Sequence, residues 1–189
     1  MIEIVTTRTI YRGWLNLLLA DMVTAEGVEF AHHVVEMKRA VSVLPYDPHR
    51  RVALLVSMPR AAVLHVGLPP MLEAIAGQLE DQPEDCARRE AMEEAGVRLG
   101  PLTHLGQIWS MPSVSTERID YFLAEYGAAD RIAEGGGLDE EHEHITVHER
   151  ALDELWTMVA EGQMADVKLT LLLMALRLRR PDLFSVPVG

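Results

Sequence analysis

The sequence predicts a mixed β-sheet with helices packed on it, of α/β or α+β class. Three observations carry that expectation. Residues 7–56 are rich in β-branched and aromatic residues and are broken by turn signals at Arg12-Gly13, residues 25–27 and residues 46–51. Residues 83–95 combine strong helix formers between Pro83, suited to a first turn, and Gly96, suited to a stop. Beyond residue 149, apolar residues recur at helical spacing. With 49% hydrophobic and 24% charged residues in 189, the composition is that of an ordinary globular chain, which excludes a disordered one.

In order, strands are expected over residues 7–11, 14–23, 28–38, 40–45 and 52–58. Residues 67–81 read as a loop and a short strand leading to the helix at 83–95. Strands follow at 102–109 and 119–126. Residues 134–147 read as a flexible glycine loop, an acidic stretch and a short strand, and helices close the chain at 149–161 and 166–180. Two domains follow from this layout: an N-terminal β-element over residues 1–39 and a main domain over 40–189. No internal repeat is evident.

Seventeen basic against twenty-nine acidic side chains give a formal charge of -12, which repels a phosphate backbone. No nucleic-acid partner is expected. The apolar runs at 14–23 and 169–176 are shorter than a membrane span, so no membrane partner is expected either. The single cysteine, Cys86, excludes an intrachain disulfide, and the first residues lack a basic-then-apolar layout, so a cytoplasmic location is expected.

The helix at 83–95 poses an electrostatic problem. On a helical wheel Glu90, Glu93 and Glu94 fall within an arc of roughly 100°. They crowd the end where the macrodipole is negative, and Glu90 and Glu94 form a like-charged pair one turn apart. Earlier in the helix, Glu84 precedes Arg88 and Asp85 precedes Arg89 by four residues, the favourable orientation for surface pairs. Near the three glutamates only Arg89 offsets the charge. Crowded carboxylates take up protons or recruit a cation, and a hard divalent ion such as Mg²⁺ suits them. A solvated acidic face is the simpler alternative.

The order of residue types decides between these. "REAMEEAGV", Arg89 through Val97, resembles the second half of the Nudix box, written G-x5-E-x7-R-E-U-x-E-E-x-G-U with U aliphatic. In the first half, Asp81 stands at the outlying Glu position, and the loop from Gly77 is two residues shorter than the pattern. Further stretches, at residues 40–60, 71–81, 110–126 and 135–147, are similar to the ADP-ribose and GDP-mannose pyrophosphatase branch of Nudix hydrolases, with the closest likeness to the GDP-mannose enzymes. Three short motifs depart from the branch: Met58-Pro59-Arg60, Ile75-Ala76-Gly77 and Ser110-Met111-Pro112-Ser113.

The resemblance implies a Nudix α/β/α sandwich with a mixed sheet and an N-terminal antiparallel β-element. It implies hydrolysis of a nucleoside diphosphate sugar at its pyrophosphate, with GDP-mannose the first expected substrate and ADP-ribose the second. The implied ligands of Mg²⁺ or Mn²⁺ are the carbonyl of Ala76 and the carboxylates of Glu90 and Glu94, with Glu93 a further or outer ligand. Arg89 would hold the glutamates in place, although a plain helix-surface pair explains it equally well. Glu141 is the expected general base and Glu143 a supplementary ligand, carried on a loop for which residues 135–137 offer a hinge. Arg60 and Glu73 match substrate-side positions. Relatives in this branch are homodimers that share N-terminal strands, so a homodimer is expected. A Nudix enzyme acting on another nucleotide derivative, and a sensor that binds a nucleotide sugar without cleaving it, remain as alternatives.

Overall fold

The computed structural model describes residues 1–137 and 144–185. These form two compact units, one of residues 1–40 with 107–119, the other of residues 41–106 with 120–189.

The first unit is built on an antiparallel sheet of β1 (Glu3–Arg12), β2 (Asn16–Val23) and β3 (Glu29–Glu36), with β2 in the middle. The register runs from Arg12↔Asn16 at the first turn and from Val23↔Glu29 at the second. β1 begins four residues earlier than the sequence suggests, because the β-branched run continues back through Val5 and Ile4 onto β2. Residues 107–119, which sequence placed within the main domain, belong to this unit. Val35 donates to the Val114 carbonyl at 2.7 Å and accepts from the Thr116 amide at 3.0 Å, while the Thr116 hydroxyl donates to the Met37 carbonyl at 2.9 Å.

The second unit is an α/β/α sandwich on a six-stranded mixed sheet. The strands of that sheet are β4 (Ala40–Asp47), β5 (Val52–Ser57), β6 (Ile75–Gln78), β7 (Leu102–Trp109), β8 (Arg118–Glu125) and β9 (Thr146–Ala151), of which Ala40 and residues 107–109 and 118–119 continue into the first unit. The order is β7-β8-β4-β5-β9, with β6 paired to β4. β4 is buried throughout, and β5 and β8 are buried except at their ends, which is why their sequences read as apolar runs rather than alternating ones. Val41, Val43, Leu54, Val56 and Phe122 cluster with Ala87 and Ala91 of α2 (Pro83–Ala95). The small residues on that helix face let it lie close to the sheet.

Near the turn, β4 pairs β5 through Tyr46↔Ala53 and Asp47↔Val52. Further along, Glu73 exchanges backbone hydrogen bonds with Val56 of β5, and β6 then pairs β4. The buried Ser42 hydroxyl of β4 donates to the Ile75 carbonyl at 3.1 Å. The short helix α1 (Ala61–His65) between β5 and Glu73 escapes sequence reading, since it buries none of its residues and has no apolar stripe.

The remaining helices are α3 (Leu152–Ala160) and α4 (Val167–Arg179). The first starts three residues later than its pattern suggests. Glu149, Arg150 and Ala151 have helical preferences, but they complete the ladder of β9 on β5 as partners of Leu54, Ala53 and Val52. No helix among the described residues is long and apolar enough to cross a membrane.

Candidate metal and substrate site

α2 lies along β6, and the facing side chains of the two elements are those singled out from sequence. Glu90 and Glu94 are buried, at 9% and 3% exposure, which is unusual for carboxylates and distinguishes them from the half-buried Glu93. The Ala76 amide donates to Glu94 Oε2 at 3.4 Å. In an extended strand a residue's N–H and C=O point to the same side, so the Ala76 carbonyl also faces α2. The neighbours agree with this alternation. The Ile75 carbonyl faces Ser42 of β4, and the Gln78 carbonyl accepts from the Cys86 thiol of α2 at 3.2 Å.

Gly77 has a specific reason to be glycine. A Cβ there would fall on the carboxylate of Glu90, so Glu90 packs directly on the β6 backbone. Ala76, Glu90 and Glu94 thus converge, and all offer oxygen, the donor type hard divalent cations prefer. Among the described residues no three His, Cys, Asp or Glu side chains enclose a metal by themselves. Two carboxylates and a carbonyl fit an ion such as Mg²⁺, which keeps several waters and is completed by substrate phosphates.

Arg89 braces the acids. Its guanidinium donates to Glu93 Oε2 at 2.9 Å and lies 2.9 Å from Glu90 and 3.8 Å from Glu80. Burial alone would lower its pKa, but the acidic groups around it, Glu90 foremost and then Glu93, Cys86 and Glu80, together leave it raised. Arg88 takes another course and donates to the carbonyls of Leu99 and Gly100. Cys86 is fully buried, and burial raises its thiol pKa, so it is a small core group rather than a nucleophile.

Arg60 and Glu73 are also brought together. Arg60 Nε donates to both Glu73 oxygens, at 3.0 and 3.2 Å, and its Nη2 donates to Oε2 at 3.0 Å. Glu73 is 2% exposed, whereas the Arg60 side chain is 39% exposed. Lys168, which sequence reading missed, reaches Glu73 at 3.5 Å and Asp166 at 2.9 Å. Asp166, also missed, caps α4 by accepting from the amides of Lys168 and Leu169, both at 3.2 Å, and accepts from the Ala74 amide at 3.1 Å. Asp before an apolar helix is a capping signal, but nothing local shows that the cap reaches back 92 residues to Ala74. Glu141 and Glu143, the expected base and supplementary ligand, lie outside the described residues.

Residues 36–172 match the NUDIX domain family. The chain is 32% identical to a GDP-mannose pyrophosphatase of Klebsiella pneumoniae subsp. pneumoniae, covering 93% of this chain and 91% of that protein. It is 34% identical to a GDP-mannose pyrophosphatase of Cronobacter sakazakii, covering 87% and 88%. Among solved structures, the crystal structure of an ADP compounds hydrolase superposes with a TM-score of 0.78 at 17% identity, over 96% of this chain and 95% of that one. At that identity the likeness is one of fold.

Proposed function

Because the chain belongs to the NUDIX family and is a Nudix hydrolase, we propose that it hydrolyses the pyrophosphate bond of a nucleoside diphosphate sugar, GDP-mannose first and ADP-ribose second. The products would be a nucleoside monophosphate and a sugar phosphate. The observation that carries this reading is the pair of buried carboxylates, Glu90 and Glu94, set against β6, where Gly77 leaves room for Glu90 and the Ala76 amide donates to Glu94.

The Ala76 carbonyl, Glu90 and Glu94 would hold Mg²⁺ or Mn²⁺, with Glu93 as a further or outer ligand. Bound there, a divalent cation would draw charge from the diphosphate and make a bound water acidic enough to attack phosphorus. Arg89 keeps Glu90 and Glu93 aimed, donating to Glu93 and pairing with Glu90 at 2.9 Å. Glu73 fixes Arg60 through a bidentate contact and leaves the guanidinium partly exposed, which suits an arginine that grips phosphate. We assign Glu141 as the base that takes the water's proton and Glu143 as a supplementary ligand.

The names of the relatives favour GDP-mannose, and the chain's own Met58-Pro59 and residues 110–113 leave ADP-ribose as the second substrate. Exposed Ile4, Val5, Ile10 and Tyr11 on β1, with Trp14 beyond it, support a homodimer formed through the N-terminal strands.

The test is mass spectrometry of the products after incubation with Mg²⁺ and either nucleotide. Wild-type protein is expected to release nucleoside monophosphate and sugar phosphate, and Glu94→Gln and Glu141→Gln to be slower by about 10²-fold or more. Substrate binding with no cleavage by the wild type would move the reading to a nucleotide-sugar sensor.

A further inference from the structure

Three glutamates at the C-terminal end of α2 face the negative pole of their own helix. The last carbonyls of a helix have no partner within it, and their partial charges repel carboxylates nearby. In this chain the carbonyls of Ala91, Met92, Glu93 and Glu94 are occupied. The Gly96 amide donates to Met92 at 3.0 Å and the Val97 amide to Ala91 at 3.2 Å, which is local capping by a left-handed glycine. The Glu93 and Glu94 carbonyls are taken by a segment some forty residues on. Gly136 donates to the Glu94 carbonyl at 2.9 Å and Gly137 to the Glu93 carbonyl at 3.1 Å.

The residues just before the glycines are held to the helix end as well. Ile132 and Ala133 donate to the Gly96 carbonyl at 2.9 and 3.1 Å, and Arg98 donates to the Asp130 carbonyl at 2.9 Å. A Cβ on Gly135, at φ +75°, would run into the Glu94 carbonyl and the backbone of Ala95, and a Cβ on Gly96 would run into the Ala133 carbonyl. The two backbones therefore touch where only glycine allows it. Residues 135–137, which composition suggests as a hinge, are hydrogen-bonded to the residues that carry the acidic side chains.

We propose that Gly135, Gly136 and Gly137 are positioning residues for the carboxylates of α2. Their backbone fixes the turn that carries Glu93 and Glu94, and the two amides offset the carbonyl charge that would otherwise oppose those acids and any dication's ligand geometry. Water could cap the carbonyls but could not fix the turn. The inference rests on the reading of Glu90, Glu93 and Glu94 as metal-binding, and adds to it where the rigidity comes from.

The experiment is Mn²⁺ titration by calorimetry of the wild type, Gly135→Ala and Gly162→Ala. Gly162 also has a positive φ, but nothing lies within 4 Å of its would-be Cβ, so it controls for backbone strain alone. Gly162→Ala is expected to bind Mn²⁺ as the wild type does. Gly135→Ala is expected to bind about 10-fold or more weakly and to regain turnover as Mn²⁺ is raised. Unchanged affinity in Gly135→Ala overturns the proposal while leaving the metal site standing. A wild type that binds no Mn²⁺ overturns the metal reading itself, and this proposal with it. If Gly135→Ala does not fold, hydrogen exchange of the wild type decides. In the wild type, the Gly136 and Gly137 amides are expected to exchange slowly with solvent, and exchange at the rate of an open loop also overturns the proposal.

Discussion

His148 lies 2.8 Å from the Ser57 hydroxyl, where β9 runs beside β5. Burial first, and Arg150 second, lower its pKa below the ordinary 6.5. The folded protein then binds the His148 proton more weakly than the unfolded chain does, so stability rises with pH through this region. The contribution is fully present above the unfolded value and is lost as pH falls through the folded one. Thermal melts at about pH 7.5 and about pH 5.5 should show a larger loss for the wild type than for His148→Gln. Equal losses would remove His148 from the pH response. At this scale legibility followed spacing. Glu90, Glu93 and Glu94 were readable because a fixed interval on a helix puts side chains on one face. Lys168 was not readable, since its contact with Glu73 depends on how α4 is placed, and no local pattern encodes that.

Among the elements, α4 is tied to Ala74 by one side chain. Asp166 is 3% exposed and accepts from the amides of Lys168, Leu169 and Ala74 and from the Lys168 ammonium. Asp166→Ala would remove a helix cap and leave the buried Ala74 amide without this acceptor. A loss of about 2 kcal/mol or more is expected in urea unfolding. Asp166→Asn, which can still cap, should lose less, and equal losses would mean the charge rather than the cap matters. The central strands were legible in the sequence, because strands buried on both faces read as apolar runs. The boundary between β9 and α3 was not, because residues 149–151 prefer helix locally and are made strand by pairing with β5. The same limit hid α1, whose five residues bury nothing.

For the molecule as a whole, the first unit presents an edge strand exposed along its length. An exposed edge carrying Ile4, Val5, Ile10 and Tyr11 invites a second chain even at a net charge of -12. Light scattering should give twice the chain mass for the wild type, and Ile4→Lys with Ile10→Lys should shift it toward a monomer. A monomeric wild type would remove the dimer from the functional reading. The β-branched and aromatic residues and turn signals of residues 7–56 showed that strands were there, whereas the assignment of residues 107–119 to the first unit arises from backbone contacts at Val35 and Thr116. The chain's only cysteine is, finally, a built-in reporter. Cys86 sits at 0% exposure between α2 and the Gln78 carbonyl of β6, with its thiol held protonated. An alkylating reagent can reach it only when the helix parts from the strand, so the labelling rate reads the opening frequency of this seam, and a ligand clamped between the two elements would register as slower labelling with no added probe.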